Sequence, residues 1–304
     1  MNSGQQVDSK TEIKNNSDLN VEEGRYIYCI IAADQERKFT PLEINDKRIR
    51  SPKGDLSLTG FTSPGIGVRQ DEVYSISYQD IAAVISNSAI KKYSISRENT
   101  MAHQRVLEEL MKDFTVLPVR FGTVASSKDR VCSEERIREE VLKARYEELK
   151  NLLIKMDNKI ELGLKALWID MKMVFQEIID ENNQIKRLRQ KSLLKPTTQL
   201  LGEKATLGEM VKNALERKKA KEEKDILEIL KKVCVEWRSN KVFGDNMITN
   251  LAFLVEKSKV EEFDRLVDKL ATAYDGRIKF KYVGPVPPCN FVELVIVLEG
   301  ERYE

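Results

Sequence analysis

Four cysteines and one histidine are the side chains whose chemistry is easiest to test against spacing. Cys29, Cys132, Cys234 and Cys289 are scattered, and His103 stands alone. A zinc site draws about four Cys, His or carboxylate ligands, usually in close pairs, and no C-x-x-C pair is present. The thiols therefore read as free cysteines of a reducing compartment rather than a disulfide framework. Cys29 falls in an apolar run and Cys234 on the apolar side of a predicted helix, which suits core thiols. Cys132 sits near a helix start, a position that lowers a thiol pKa, but position alone does not make a nucleophile. His103 is followed by Gln104 and Arg105 and reads as a surface or interface residue. A triad would have to rest on it alone.

Other reaction signatures are missing. There is no G-x-x-x-x-G-K-[ST] loop, no G-x-S-x-G elbow, and Gly54, Gly60, Gly65 and Gly67 do not follow a strand in a dinucleotide-binding pattern. The 51 basic and 49 acidic residues leave a net charge of +2, so no global field draws nucleic acid or anionic lipid. The clusters Lys186–Arg189 and Arg217–Lys221 have no interleaved aromatics for base stacking, and Glu216, Glu222 and Glu223 flank the second. Both read as solvated helix faces. Neither nucleic acid nor a lipid membrane is expected as a partner, and no cofactor or metal.

Two segments stand out because they shape backbone. Leu117-Pro-Val-Arg-Phe-Gly-Thr123 and Gly284-Pro-Val-Pro-Pro-Cys-Asn-Phe-Val292 concentrate residues that fix φ, delete a donor or permit unusual φ. Their candidate structural or interaction residues are Pro118, Arg120, Phe121, Gly122, Gly284, Pro285, Pro287 and Pro288. Arg120 carries a permanent charge beside Phe121. It suits an internal clamp on a carboxylate or carbonyls, with contact to a partner as the alternative.

The elements that must position these segments alternate between strands and helices. Residues 1–24 are polar and aperiodic, a predicted disordered tail without the apolar core of a secretory signal. Arg25–Ala32 is a buried-strand run, Asp34–Gly65 an irregular insertion, and Glu72–Ser77 with Ile81–Ser86 a hairpin. A helix over Ser96–Lys112 starts at a Ser96 N-cap, and Thr115–Val119 is a strand. Asp129–Lys155 reads as one long amphipathic helix bridging two domains. Strand Lys159–Ile169, helix Met171–Leu194 ending before Pro196, and helix Leu207–Trp237 follow. The charged stretch Glu216–Asp225 is expected to project into solvent. Met247–Val255, Arg277–Val283 and Phe291–Leu298 read as strands around a Val260–Tyr274 helix, with a short strand near Lys241–Phe243 completing a ferredoxin-like order. No apolar run approaches the ~20 residues needed to span a bilayer.

Taken in order, Tyr26–Ile31, Asp80–Ser86, Ala102–Leu110, Thr115–Thr123, Glu161–Lys165 with Trp168, Asn250–Val255 with Phe263, and Gly284–Pro288 with Asn290–Val292 resemble the gas vesicle protein GvpL/GvpF family. The resemblance covers nearly all of Tyr26–Leu298. It implies an α+β protein of two domains, an N-terminal α/β sandwich-like domain over 25–128 and a C-terminal modified ferredoxin-like domain over 156–304 with a long helical insertion. Residues 129–155 are the linking helix. It also implies an accessory or minor component located in gas vesicles in the cytoplasm. Its partners would be the shell protein GvpA and other gas vesicle proteins, with no catalytic residues carried over. Cys289 departs from the family pattern, where a tyrosine follows the prolines. The polar tail and the Asp34–Gly65 insertion look longer than the family core. A ferredoxin-like regulatory module binding a small molecule is the alternative.

Overall fold

The computed structural model describes residues 24–33, 36, 72–88, 92–194 and 201–298. Residues 1–23 of the predicted tail, nearly all of the predicted insertion and Pro196 lie outside the described residues; Gly24, expected in the tail, is buried and begins the first strand. Two antiparallel sheets organise the rest.

The first sheet is built on β1 (Gly24–Ala32), whose residues from Tyr26 to Ile31 are completely buried. Burying each such large side chain is worth roughly 1.5–3 kcal/mol, so this strand anchors the sheet. It lies between β3 (Ile81–Ser88) on one side and β4 (Val116–Pro118) and β5 (Val124–Ala125) on the other, with β2 (Val73–Tyr78) outside β3. A bulge between Ile27 and Cys29 breaks the alternation. It sends Tyr28 and Cys29 together to the face covered by helix α1 (Arg97–Leu110), while Ile27 and Ile30 enter the opposite core. Ser96 caps α1 as expected, its hydroxyl accepting from the Asn99 N–H.

The opposite face packs on a helical segment that departs from the expected single rod. Asp129 and Arg130 adopt positive φ in a tight turn, so the helix begins only at α2 (Ser133–Arg136). It widens to π geometry over Ile137–Lys143, breaks at Arg145 and resumes as α3 (Tyr146–Met156). The widened turn keeps Ile137, Val141 and Leu142 on the same core as Leu149 and Leu153 despite the break.

The second sheet has the order β7-β8-β6-β9, formed by β6 (Lys159–Trp168), β7 (Glu236–Ser239), β8 (Met247–Glu256) and β9 (Ile278–Val286). Helices α4 (Met171–Glu181), α5 (Asn183–Leu194) and α6 (Leu201–Leu230) precede β7, and α7 (Val260–Ala273) connects β8 to β9. The expected helix Met171–Leu194 is divided at Asn182, whose side chain accepts from the Gln184 and Ile185 N–H groups and caps α5. The helix expected to reach Trp237 stops at Leu230. Trp237 lies instead on β7, opposite Phe253, because pairing with β8 outweighs local helical pattern. The short strand expected near Lys241–Phe243 is thus found a few residues earlier.

The charged middle of α6 does not project. Glu222 is buried and accepts from Trp168 Nε1 at 2.6 Å and from Arg277 at 2.6 Å. Arg277 also forks onto Glu177, and Lys218 bridges Glu177 and Glu181. Paired ions let a polar sequence pack where isolated charges could not. Cys234 lies beyond the helix end, half-buried, with its thiol pushed up by burial.

Phe291–Leu298 is not a strand of a sheet. It is extended, alternates buried and exposed residues, and meets the chain just after β4 through one isolated parallel bridge between Val119 and Leu294. Its inward residues Phe291, Leu294, Ile296 and Leu298 complete the core of the first sheet, and Ala252 and Leu254 of the second sheet join that core.

Candidate functional site

The two backbone-shaping segments, some 170 positions apart in the chain, meet at one cleft. Pro118 ends β4 and leads into a tight turn, Arg120–Thr123. Gly122 closes the turn at φ +85°, where an L side chain is strained although a Cβ would meet nothing within 4 Å. Thr123 Oγ1 donates to the Arg120 carbonyl at 2.7 Å, and the Ile27 N–H donates to the Thr123 carbonyl at 3.0 Å. The turn is therefore clamped onto β1.

Gly284 is required for a different reason. Its φ is +146°, and a Cβ there would sit 2.6 Å from Leu162 Cδ2 and 3.2 Å from the Glu161 carbonyl. The chain thus passes tightly over β6, with a cis bond to Pro285. Pro287 and Pro288 are buried, and the next residues are held by a carboxylate that sequence reasoning had not singled out. Glu161, on β6 and nearly buried, accepts from the Asn290 backbone N–H at 2.8 Å and from its side-chain amide. Burial raises its pKa, and the Asn290 bonds oppose that shift. Its signal in the sequence was the one acidic residue of β6, a strand whose inward positions are apolar, with Asn290 following a proline turn.

Between these segments opens a cleft of about 460 Å³, walled by Thr100, His103 and Gln104 of α1, by Pro118–Phe121, and by Cys289 with Val292–Val295. Pro118, Arg120 and Phe121 line it, with Gly122 in the adjoining turn. Gly284, Pro285, Pro287 and Pro288 do not line it; they deliver the segment that does. The internal clamp expected of Arg120 is not formed. Its side chain is exposed, and its guanidinium has no hydrogen-bond or ion-pair partner among the described residues.

His103 is not a surface residue. It is 7% exposed, stacked on Tyr28 and edge-on to Tyr26 and Phe121. Its Nδ1 lies 3.0 Å from the Tyr26 hydroxyl, which also accepts from the Gly122 N–H. Burial pushes its pKa down to about 4, so the ring is neutral at pH 7. Cys29 is buried with its thiol pushed up by burial. Cys289 stands at the cleft mouth, yet surrounding atoms and then the Glu161 carboxylate push its thiol up to about 12. Neither offers a thiolate at neutral pH. Cys132 is exposed at the start of α2 and makes no side-chain cap bond. Among the described residues no three His, Cys, Asp or Glu side chains gather as a metal-ligand set, and no helix is long and apolar enough to cross a membrane. What the cleft presents is an apolar wall, a neutral ring and an unengaged guanidinium.

Residues 24–293 match the family model described as gas vesicle synthesis protein GvpL/GvpF. The chain belongs to the GvpL/GvpF family. Gas vesicle protein F of Streptomyces sp. (strain CB03234) is 29% identical over 229 residues, covering 75% of this chain and 91% of that protein. The fold is shared with the crystal structure of GvpF from Anabaena sp. PCC7120, at a TM-score of 0.70 and 23% identity, covering 90% of this chain and 99% of that one. GvpF from Microcystis aeruginosa superposes at a TM-score of 0.67 with 22% identity over 89% and 99% of the two chains. A gas-vesicle-associated role follows from family membership. Both backbone-shaping segments fall within the matched span; of the cleft wall only Leu294 and Val295 lie beyond it.

Proposed function

We propose that this GvpL/GvpF chain is a non-enzymatic accessory or minor structural protein that supports gas vesicle formation by binding the shell protein GvpA and other gas vesicle proteins. The observation that carries the reading is the cleft between the turn Arg120–Thr123 and the extended Phe291–Leu298 segment. It is apolar, open, and rimmed by a guanidinium with no hydrogen-bond or ion-pair partner among the described residues. Val295 lines it and Val297, further along the same extended segment, is 66% exposed. An apolar cleft beside a barely paired extended segment suits capture of an aggregation-prone subunit, by side-chain pockets and by main-chain addition. Arg120 then contacts the partner rather than bracing the fold. The β-α-β-β-α-β order of the second sheet supports a ferredoxin-like reading of the C-terminal domain expected over 156–304, although its Phe291–Leu298 segment packs on the first sheet, the core of a second unit. Co-purification with GvpA, alone and with other gas vesicle proteins, tests the proposal; consistent failure to bind under all these conditions would defeat it.

A further inference from the structure

The second sheet has one covered face and one half-covered face. Leu162, Leu164, Leu251 and Phe253 point into the core beneath α4–α7. On the other face, Glu161 is bonded to Asn290, and Ala252 and Leu254 join the core of the first sheet. Beyond that contact the face is open among the described residues, and it is basic. Lys165 of β6 stands directly opposite Lys281 of β9, and Lys279 is opposite Leu167 two residues along. All three lysines are exposed, and none forms an ion pair among the described residues. Lys241 joins them at the side, its ammonium 5.3 Å from the centre of the Phe243 ring.

Like charges directly opposite on neighbouring strands destabilise a sheet. Elsewhere the protein places lysine or arginine near glutamate, as in Glu139–Lys143, Arg145–Glu148 and Lys259–Glu262. The Lys165–Lys281 pair is therefore not explained by stability. A second observation falls on the same spot. Gly163, in the middle of β6, weakens the strand, yet a Cβ there would meet only the Val283 carbonyl at 3.7 Å and the Val283 Cβ at 4.0 Å, both ordinary contacts. Neither φ nor packing requires the glycine. It floors a hollow of about 440 Å³ bounded by Ala252, Val283, Phe243, Lys165, Lys241 and Lys281. Among the described residues Glu161 is the one carboxylate lining the hollow, and it is already engaged by Asn290.

We propose that this face docks an extended acidic segment of a partner polypeptide. Its carboxylates pair with Lys165, Lys281, Lys279 and Lys241. An apolar side chain lies over Gly163 between Val283 and Phe243. The charge of the face selects an acidic occupant, the missing Cβ lets its backbone lie close, and Val283 and Phe243, both largely exposed, supply the apolar anchor. Surface pairs of this kind are individually weak and screened by salt, so the docking is salt-sensitive. This surface is separate from the cleft that carries the GvpA reading.

The test uses the full chain and a fluorescently labelled peptide of alternating glutamate and leucine, with a lysine–leucine peptide as its opposite, measured by anisotropy. No shell protein enters the assay, so its failure leaves the GvpA reading untouched. The acidic peptide binds at low salt and weakens at least tenfold at high salt, while the basic peptide does not bind. Lys165→Met with Lys281→Met weakens binding at least tenfold while leaving the thermal midpoint unchanged or raised, because a repulsion has been removed. Arg217→Glu with Lys221→Glu, on the exposed side of α6, leaves binding unchanged. Equal affinity for both peptides, or undiminished binding by the Met variant, overturns the proposal. So does displacement of the peptide by inorganic phosphate at matched charge, which makes this a small-anion site. A self-association in sedimentation that the Met variant abolishes also overturns it, since a second copy then fills the face.

Discussion

The Tyr26 hydroxyl lies 3.0 Å from Nδ1 of His103, and the same oxygen accepts from the Gly122 N–H at 3.1 Å. One phenol on β1 therefore ties helix α1 to the turn that walls the cleft. The hydroxyl proton has Nδ1 as its acceptor when the ring carries its own hydrogen on Nε2. Protonating His103 would force Nδ1 to donate and place a charge among aromatic rings.

That arrangement has a measurable pH signature. Burial lowers the His103 pKa to about 4 in the folded chain, against about 6.5 for a free imidazole. Its folded pKa is depressed, so the stability it contributes is complete above the unfolded value and is lost as pH falls from about 6.5 towards about 4. The gap corresponds to a loss on the order of 3 kcal/mol. Because the chain has one histidine, its Cε1–H proton resonance reports the titration without assignment. A midpoint near 6.5 would contradict the buried, neutral ring, and His103→Gln is expected to remove this part of the pH dependence of unfolding.

A second acid-sensitive element lies under the second sheet. The Arg277 guanidinium, then Lys218, holds the Glu177 carboxyl down at about 2. Its stabilisation is present above the ordinary carboxylate value near 4.5 and is lost as pH falls towards about 2. Glu177→Gln should flatten the unfolding profile in that window and leave the His103 window alone. Arg277→Ala is more damaging, since it strips the buried Glu222 of its cation and leaves only Trp168 Nε1 as donor. A cost of about 3 kcal/mol is expected in urea unfolding, with a shift in the tryptophan emission.

The two glycines of the site separate backbone strain from crowding. Gly122→Ala places a Cβ in open space at φ +85°, so about 1–2 kcal/mol is lost through conformation alone. Gly284→Ala adds a contact 2.6 Å from Leu162 Cδ2 on top of its positive φ, and pushes against the backbone of β6. It should cost more than Gly122→Ala, and equal midpoints in urea would refute that ordering.

Several of these features could be read in the sequence and others could not, for physical reasons. The apolar run of β1, the Ser96 cap and the order of strands and helices are local patterns, and local propensity agrees with the final fold. The end of α6 was misread because Glu236–Ser239 forms a strand only through pairing with β8, a partner supplied by tertiary structure. The burial of Glu222 was hidden because its partners, Trp168 and Arg277, are more than 50 residues away. His103 looked solvated beside Gln104 and Arg105, but on a helix its neighbours point elsewhere while it faces the tyrosines of β1. Pro118, Arg120 and Phe121 were visible as unusual residues. That they would meet Val292–Val295 was not, since nothing local joins them.

The cleft itself can be tested without disturbing the fold. Arg120 is exposed, its bonds to Thr123 and Leu294 run through its backbone, and its guanidinium has no hydrogen-bond or ion-pair partner among the described residues, so Arg120→Ala breaks no side-chain hydrogen bond or ion pair among them. Val295 is also exposed, and Val295→Asp places a charge on the cleft wall without burying it. Both should leave the melting temperature within a degree or two, as surface changes away from special features usually do. Truncating a partner-facing arginine or charging an apolar contact typically costs a complex more than 1 kcal/mol, which is over fivefold in Kd. Pull-down of GvpA by the two variants should therefore fall while folding is unchanged. Leu294→Asp, by contrast, should lose both, because Leu294 is buried in the core of the first sheet. Full retention of GvpA by Arg120→Ala and Val295→Asp together would place the shell-protein contact elsewhere on the molecule.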